Sequence, residues 1–233
     1  MARILVVTAA AAERDAVVAG RSAAIGMVDG IEVHRSVTGA GMVDSIAGGV
    51  GVAAAAVATC CALRHGYDLV LSAGIAGGFP AAPACSVVVA HAVVHADLGT
   101  QTPAGFTSMA ALGWGPVRFE LDQHLSHELA QRTGAVLGSI LTVSSITGTQ
   151  PRADELRSEH PDAVAEAMEG VGVYRAATMA GVAFGEIRTI SNRVGPRNRD
   201  DWRVGDALSA LTVAFDQLLA DPLPANAWKG STA

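Results

Sequence analysis

Two glutamates stand where a carboxylate is able to do chemistry. Glu13 follows the apolar run "RILVVT", a predicted first strand, and Glu169 lies in "AEAMEG" among apolar neighbours. Open α/β sheets bind ligands at strand ends, so these carboxylates are placed to face a ligand. A buried carboxylate also needs donors, and the vicinal hydroxyls of a ribose would supply two. Each has a simpler reading: a helix dipole favours Glu13, and Glu169 is a solvated residue near Glu166.

An asparagine ends another predicted strand. The β-branched run over residues 187–190 stops at Ser191, Asn192 and Arg193, and a charged loop follows. An asparagine side chain donates and accepts hydrogen bonds but has no proton to give up. Two glycine-rich stretches, "VTGAGM" and "SAGIAGGF", also follow apolar runs, and their backbone N–H groups are able to face an anion or a sugar. We therefore expect a small-molecule site built from strand ends and glycine turns.

The composition argues against several other functions. The formal net charge is -6 and no stripe of Lys and Arg forms, so we expect no nucleic acid partner. Lys229 is the only lysine, which leaves a Schiff-base mechanism without a candidate in the body of the protein. His124 and His127, in "HLSHE", fit no zinc motif, and we expect neither a metal nor a cofactor.

The location is constrained by three further features. Cys60, Cys61 and Cys85 have no pairing or metal-binding spacing, so we expect reduced thiols in a cytoplasmic protein. The start "MARILVVTAA" has the pattern of a strand rather than of a signal peptide. The uncharged stretch 46–63 reaches the length of a membrane span, but it is rich in Ala and Gly and lacks aromatic anchors. We interpret it as a buried core helix.

Strand-like and helical runs alternate along the chain. Apolar β-branched runs predict strands over residues 3–7, 32–37, 69–72, 87–94, 140–143 and 183–190. Helical patterns cover residues 12–19, 42–64, 121–131, 153–158, 163–180 and 206–220. This alternation, with strands apolar on both faces, predicts a three-layer α/β/α sandwich. We expect one domain over residues 1–222, with a substrate-covering segment over 100–117, and a flexible tail over 223–233.

The order of the short motifs is distinctive. Glu13 is followed by "TGAG", "GIAGG", "AMEG" and a final "ISN". This order resembles the nucleoside phosphorylase/nucleosidase family, especially its hydrolytic branch, the methylthioadenosine/S-adenosylhomocysteine nucleosidases. The resemblance spans the chain from Ile4 to about Leu219. It implies a nucleoside phosphorylase-like single domain with a central mixed sheet, a purine nucleoside as substrate, and a homo-oligomer.

The resemblance also implies roles for individual residues. Glu13 corresponds to the carboxylate that deprotonates the attacking water. Glu169, with Met168 beside it, corresponds to the group that holds the ribose hydroxyls. Asn192 corresponds to the residue that meets the purine leaving group, and with Glu13 it forms the expected catalytic pair. The other implied substrate-binding residues are Gly74, Ile75, Ala76, Gly77, Thr147, Gly148, Ser191 and Arg193.

Three positions depart from the adenine-specific nucleosidases of this family. Those enzymes carry Asp at the position of Asn192, Ser at that of Ile75 and Lys at that of Met42. A carboxamide is able to donate to a 6-oxo group and to accept from a protonated N7, which suits hypoxanthine. Among the branches of the family, the chain is most similar to the one that hydrolyses futalosine, a hypoxanthine nucleoside of the alternative menaquinone pathway.

Alternatives stay open at this point. A phosphorylase needs basic groups around phosphate, and the turns "TAAAAE", "TGAGM" and "SSITGT" contain none apart from Arg14 directly after Glu13, so water is the expected nucleophile. An adenine-nucleoside nucleosidase, a purine nucleoside phosphorylase and a catalytically inactive nucleotide-binding module are the remaining readings. The carboxyphenyl tail of futalosine needs apolar walls and a cation, for which Arg118 or Arg193, with aromatic residues in and beside segment 100–117, are candidates.

Overall fold

The computed structural model describes residues 1–223 and shows helices on both faces of a large mixed sheet. The strands are β1 (Arg3–Thr8), β2 (Ala23–Val28), β3 (Ile31–Thr38), β4 (Gly41–Ala47), β5 (Leu69–Gly78), β6 (Val87–His95), β7 (Gly99–Thr102), β8 (Gly105–Ser108), β9 (Arg118–Glu120), β10 (Val136–Thr142), β11 (Ala163–Ala167) and β12 (Ala183–Arg193). The helices are α1 (Ala11–Val18), α2 (Val52–Leu63), α3 (Gln123–Thr133), α4 (Gln150–Glu159), α5 (Gly170–Met179) and α6 (Val204–Leu219).

Alternate side chains of the central strands point into two separate cores. In β1, Ile4 and Val6 join the core formed with α1, α3 and α6, whereas Leu5 and Val7 join the core formed with α2 and α5. All four side chains are buried. The strand is apolar at successive positions because helices cover both of its faces. The predicted three-layer α/β/α sandwich is confirmed.

The main sheet has the order β11-β10-β6-β12-β5-β1-β4-β3-β2, with β9 beside β6. β4, β1, β5 and β12 run parallel, and β6, β10 and β11 run in the opposite direction. This confirms the mixed sheet. β11 also pairs with β5, so five strands close into a ring. At Gly77, β5 therefore meets Asn192 of β12 on one side and Glu166 of β11 on the other.

Two segments predicted as single helices each contain a strand followed by a shorter helix. Residues 42–64 hold β4 and α2, joined by the turn "GGVG" at residues 48–51. The sequence pattern missed the strand because it contains a charge, Asp44, which is fully buried and accepts hydrogen bonds from Arg35 of β3 and from the distant Tyr67. Residues 163–180 hold β11 and α5, so Met168 and Glu169 lie between a strand and a helix.

The "VTGAGM" turn is a hairpin rather than a strand-to-helix connection. It joins β3 to β4, which pair antiparallel. A Cβ on Gly39 would collide with the carbonyl of Ala220, and a Cβ on Gly41 with the carbonyl of Ala2. The turn is therefore packed at the start of β1, at the opposite end of that strand from Glu13. The expectation that its N–H groups face an anion or a sugar is wrong.

Two further predicted segments differ from what the sequence pattern indicates. Residues 100–117, predicted as one long loop, contain parts of the hairpin formed by β7 and β8. Leu223, the first residue of the predicted tail, is buried in the core with α6, and the rest of that tail lies outside the described residues. Within residues 1–223, no helix is long and apolar enough to cross a membrane.

Candidate active site

Glu13 is held by backbone N–H groups from two elements. It lies in the first turn of α1, where one carboxylate oxygen accepts hydrogen bonds from Ala9 N at 3.0 Å and Ala10 N at 2.9 Å. These bonds satisfy donors at the helix start, so the simple helix-start reading holds in part. The other oxygen accepts from Ile75 N of β5 at 2.8 Å. Because the residue is only 6% exposed, its carboxylate has a fixed direction.

The predicted glycine turn after β5 is part of the strand itself. Pairing with β12 continues to Gly78, so the turn is a wrong expectation. Glycine is required at position 74 because a Cβ there would collide with the carboxylate of Glu13 and with the guanidinium of Arg188. The two charged groups thus face each other across the space that a side chain would fill. The strand includes all four predicted residues, Gly74, Ile75, Ala76 and Gly77.

Glu169 connects three elements. It directly precedes α5, and its Oε1 accepts a hydrogen bond from Gly51 N at 3.1 Å. Its Oε2 lies 3.2 Å from Arg188 Nη1. The residue is 5% exposed, so the solvated reading is wrong, while Met168 before it is half-buried. Gly51 belongs to the "GGVG" turn, which none of the sequence motifs includes. The glycines between an apolar run and an Ala-rich helix were the sequence signal that could have indicated this turn.

Arg188 is a central residue that the motifs did not reveal. Its side chain is 1% exposed; Nε donates to Glu186 Oε1 at 2.9 Å, and Nη2 donates to Ser72 Oγ at 2.9 Å. Burial alone would lower the pKa of Arg188, but the carboxylates of Glu186, Glu169 and Glu13 raise it overall. The signal was present in "GEIRTISN", where opposite charges two residues apart share one face of an apolar strand.

The amide of Asn192 has a defined orientation. Its Nδ2 donates to the carbonyl of Arg193 at 3.0 Å, and because a carbonyl only accepts, this contact identifies the nitrogen. Its Oδ1 accepts from Ser191 Oγ at 2.8 Å, and the same hydroxyl lies 3.2 Å from the carbonyl of Ala76. Ser191 is buried, so it orients the amide from behind. One N–H and one lone pair of the half-buried Asn192 remain for a ligand.

Thr147 and Gly148 are tied to the site through Glu166. Thr147 donates to the carboxylate of Glu166 from its backbone N at 2.7 Å and from its hydroxyl at 2.5 Å. Burial raises the pKa of Glu166, against the lowering effect of these two hydrogen bonds. A Cβ on Gly148 would make only ordinary van der Waals contact with the aliphatic stem of Arg197, at 3.5 and 3.6 Å. Since Glu166 pairs with Gly77 of β5, this loop is anchored to the strand that carries the other candidates.

A cavity of about 210 Å³ opens beside Asn192. The charged loop after β12 forms most of its wall, and within that loop Arg197 stacks over the ring of Trp202 at 5.1 Å. Three carboxamides and an aromatic ring are groups that hydrogen-bond and stack with a planar heterocycle. The exposed Arg193 contributes a cation. The lining residues are Gln150, Asn192, Arg193, Val194, Pro196, Asn198, Asp201 and Trp202.

Arg118 does not supply a free cation. Its Nε donates to Glu120 at 2.6 Å, and its two terminal nitrogens donate to Asp162 at 3.2 and 2.9 Å. The hydrogen bonds that Arg118 donates to Asp162 are the main reason that the pKa of Arg118 is raised. The hypothesis that this residue holds a ligand carboxylate is therefore not supported, which leaves Arg193.

Within residues 1–223, metal-ligating side chains are scattered. No group of three or more His, Cys, Asp or Glu residues is arranged to hold a metal ion. Cys60, Cys61 and Cys85 are free thiols.

The sandwich with its ring of strands, together with the buried carboxylates around Arg188 of β12, indicates the class of protein to which the chain belongs. The sequence model of the phosphorylase superfamily matches residues 6–220, and the chain belongs to this superfamily. It is 48% identical over 224 residues to a futalosine hydrolase of Streptomyces coelicolor, covering 92% of this chain and 94% of that protein.

Solved structures have the same fold. The futalosine hydrolase of Helicobacter pylori aligns with a TM-score of 0.79 at 19% identity, over 93% of this chain and 97% of that one. An S-adenosylhomocysteine nucleosidase of Streptococcus pyogenes aligns with a TM-score of 0.82 at 19% identity, over 94% and 96%. The predicted family and its nucleoside phosphorylase-like fold are confirmed.

Proposed function

We propose that this protein hydrolyses the N-glycosidic bond of futalosine and releases hypoxanthine and dehypoxanthine futalosine. The observation that carries the proposal is the oriented carboxamide of Asn192 at this cavity, on the same strand, β12, as Arg188, which faces the buried carboxylates Glu13 and Glu169. The 48% identity to the futalosine hydrolase of Streptomyces coelicolor supports the same reaction. With this substrate, the protein would act in menaquinone biosynthesis.

Two carboxylates are proposed to act on the sugar side. Cleavage passes through an oxocarbenium-like transition state and needs a group that activates water on one face of the sugar. Glu13 is the proposed base, because backbone donors fix its carboxylate and no side chain fills the space above Gly74. Glu169 is proposed to accept hydrogen bonds from the ribose hydroxyls, with Met168 against the sugar. Negative charge at these positions also stabilises the cation that develops on the sugar.

Asn192 is proposed to recognise and stabilise the leaving purine. Its free N–H is able to donate to the 6-oxo group of hypoxanthine, and its Oδ1 is able to accept from a protonated N7. Adenine would present a 6-amino donor to the amide nitrogen and leave polar groups unpaired. Thr147, Gly148 and Gly77 are proposed to line the base, and Arg193 to meet the carboxylate of the substrate tail. Arg193→Ala tests this last assignment, and we expect the variant to bind futalosine more weakly than the wild type.

Water is the proposed nucleophile rather than phosphate. Phosphate binding requires cationic groups that are free to pair with it. Arg188, which faces Glu13, is buried and already paired with carboxylates. Arg14, the residue after Glu13, is turned toward Asp15 and Glu32. Running the reaction with and without phosphate should give the same rate and a free ribosyl product; a ribose phosphate would contradict this choice.

The decisive experiment offers futalosine, aminofutalosine, methylthioadenosine and inosine side by side and identifies the base released. We expect hypoxanthine from futalosine at the highest kcat/KM. Preferential release of adenine would favour the adenine-nucleoside alternative instead. Binding of all four nucleosides without turnover would favour a catalytically inactive nucleotide-binding module. The burial of both Glu13 and Glu169 argues against that alternative.

We also propose that the protein is a homo-oligomer. The outer face of α2 carries Ala53, Ala54, Val57 and Cys60, which are all exposed and share one side of the helix by their spacing. An apolar helix face of this kind is suited to a second copy of the chain. Light scattering of the purified protein should give a multiple of the chain mass. A cytoplasmic location remains a prediction, supported by the three free cysteines.

A further inference from the structure

Glu186 is a fully buried carboxylate that the proposed reaction does not yet use. It lies on β12, two residues before Arg188, and is 0% exposed. Its Oε1 accepts from Arg188 Nε at 2.9 Å, while its Oε2 has no hydrogen-bond partner among the described residues. A Cβ on Gly170 would collide with this carboxylate, so the first residue of α5 leaves the space that it occupies. Burying a charge in such a place is costly, and pairing with an opposite charge is what offsets that cost.

The partner is a guanidinium whose three nitrogens have separate contacts. Glu186 takes Nε, Ser72 takes Nη2, and Nη1 is left to pair with Glu169 at 3.2 Å. Because the guanidinium is planar and rigid, fixing two of its edges fixes the third. Without Glu186, Arg188 would have a buried N–H with no acceptor and would be free to turn away from Glu169.

The charges around Arg188 do not cancel. Glu13, Glu169 and Glu186 approach one guanidinium from α1, from the start of α5 and from β12, and β5 adds only the uncharged Ser72. If Glu186 were neutral, the positive charge of Arg188 would act on the other two carboxylates without a counterion. Their negative charge would then be less available to a sugar cation.

We propose that Glu186 is a positioning residue for the hydrolysis: as a buried anion it holds and neutralises Arg188, so that Glu13 and Glu169 keep their charge for the sugar. The inference rests on the proposed function. Burial raises the pKa of Glu186, and the ion pair with Arg188 opposes that effect. In this proposal Glu186 acts through Arg188 and not by touching the substrate.

The test is Glu186→Gln, which keeps an oxygen for Arg188 Nε but removes the charge. We expect kcat to fall by about tenfold, with KM changed by less than about threefold. We also expect the acidic limb of the kcat–pH profile to move to lower pH, because Glu13 and Glu169 then face an uncompensated Arg188. Glu186→Asp, which keeps the charge on a shorter arm, should lower kcat but leave that limb in place. Glu186→Asp also tests the proposal if the Glu186→Gln variant fails to fold.

Asp44→Asn is the matched control. Asp44 is also 0% exposed, lies on a strand of the same sheet and is held by Arg35, but it is not part of the site. We expect this variant to lose thermal stability while its pH profile stays that of the wild type. An unshifted acidic limb in Glu186→Gln, or a limb equally shifted in the control, overturns the inference. Its failure is distinct from that of the proposed function, because each variant is compared with the wild type on whichever nucleoside the wild type cleaves.

Discussion

Replacing Glu13 by glutamine removes an acceptor from a position that is surrounded by N–H donors. One oxygen accepts from Ala9 N and Ala10 N, and the other accepts from Ile75 N. Whichever way the carboxamide is turned, its NH₂ group faces at least one of these donors. The less costly orientation leaves only the N–H of Ile75 without an acceptor. An unsatisfied buried donor costs about 1–3 kcal/mol, so the free energy of unfolding should fall by about that amount.

The same substitution removes the proposed base. General-base catalysis contributes about 10²–10⁴-fold to a rate, and kcat of Glu13→Gln on futalosine should fall by about that factor. Hypoxanthine release, followed by its ultraviolet absorbance, measures turnover. Urea unfolding followed by circular dichroism measures stability on the same preparation. Binding of futalosine should persist, because Glu169 and Asn192 are unchanged.

Asp15→Asn, on the same helix, is the matched control. Its side chain is 58% exposed and pairs with Arg14 at the surface. We expect stability within about 0.5 kcal/mol of the wild type and unchanged turnover. Wild-type stability in Glu13→Gln would refute the hydrogen-bond argument. Turnover within about tenfold of the wild type would refute the assignment of the base.

Three further predictions test other parts of the site. Asn192→Asp should lower kcat/KM on futalosine by about 10²-fold and gain activity on adenine nucleosides; an unchanged base preference in the substrate panel would contradict this. Glu166→Gln should keep both bonds to Thr147. Burial raises the pKa of Glu166 above the ordinary 4.5, so the folded wild type binds this proton more tightly than the unfolded chain does. Thermal unfolding should therefore show that the wild type loses stability relative to Glu166→Gln as pH rises from 4.5. Gly74→Ala should lower kcat by about 10²-fold, since its Cβ displaces the Glu13 carboxylate, and unaltered kinetics would show that the space is not used.

The candidate residues at strand ends could be predicted from the sequence. Glu13 and Asn192 each follow a long apolar run directly, and in an α/β protein such runs are buried strands whose ends meet a ligand. Glu169 was predictable as a buried carboxylate from its apolar neighbours. In each of these cases the local pattern and the tertiary position agree, because the residue lies next to the element that places it.

The patterns failed for two strands that each carry a single buried charge, whereas β12, with the opposite charges of Glu186 and Arg188, was predicted as a strand. Asp44 in β4 accepts a hydrogen bond from Tyr67, and Glu166 in β11 accepts one from Thr147, each a partner far away in sequence. Periodicity treats a charge as a sign of solvent, and only the tertiary structure supplies the partner. In β11 the residues "AVAEA" add a second difficulty, since Ala and Glu are strong helix formers. Pairing with β10 and β5 overrides that propensity.

The proposed reaction has to proceed without an acid at the position of Asn192. An amide stabilises departing hypoxanthine by hydrogen bonding but transfers no proton to it, so departure of the base receives less help than it would from an acid. The positive charge that develops on the sugar must then be stabilised by fixed negative groups in a site that excludes water. Glu13, Glu169 and Glu186 surround the one guanidinium of Arg188, and each is at most 6% exposed. The amide that selects the purine and the excess of buried carboxylates are therefore linked, because weaker assistance to the leaving group requires stronger stabilisation of the sugar cation.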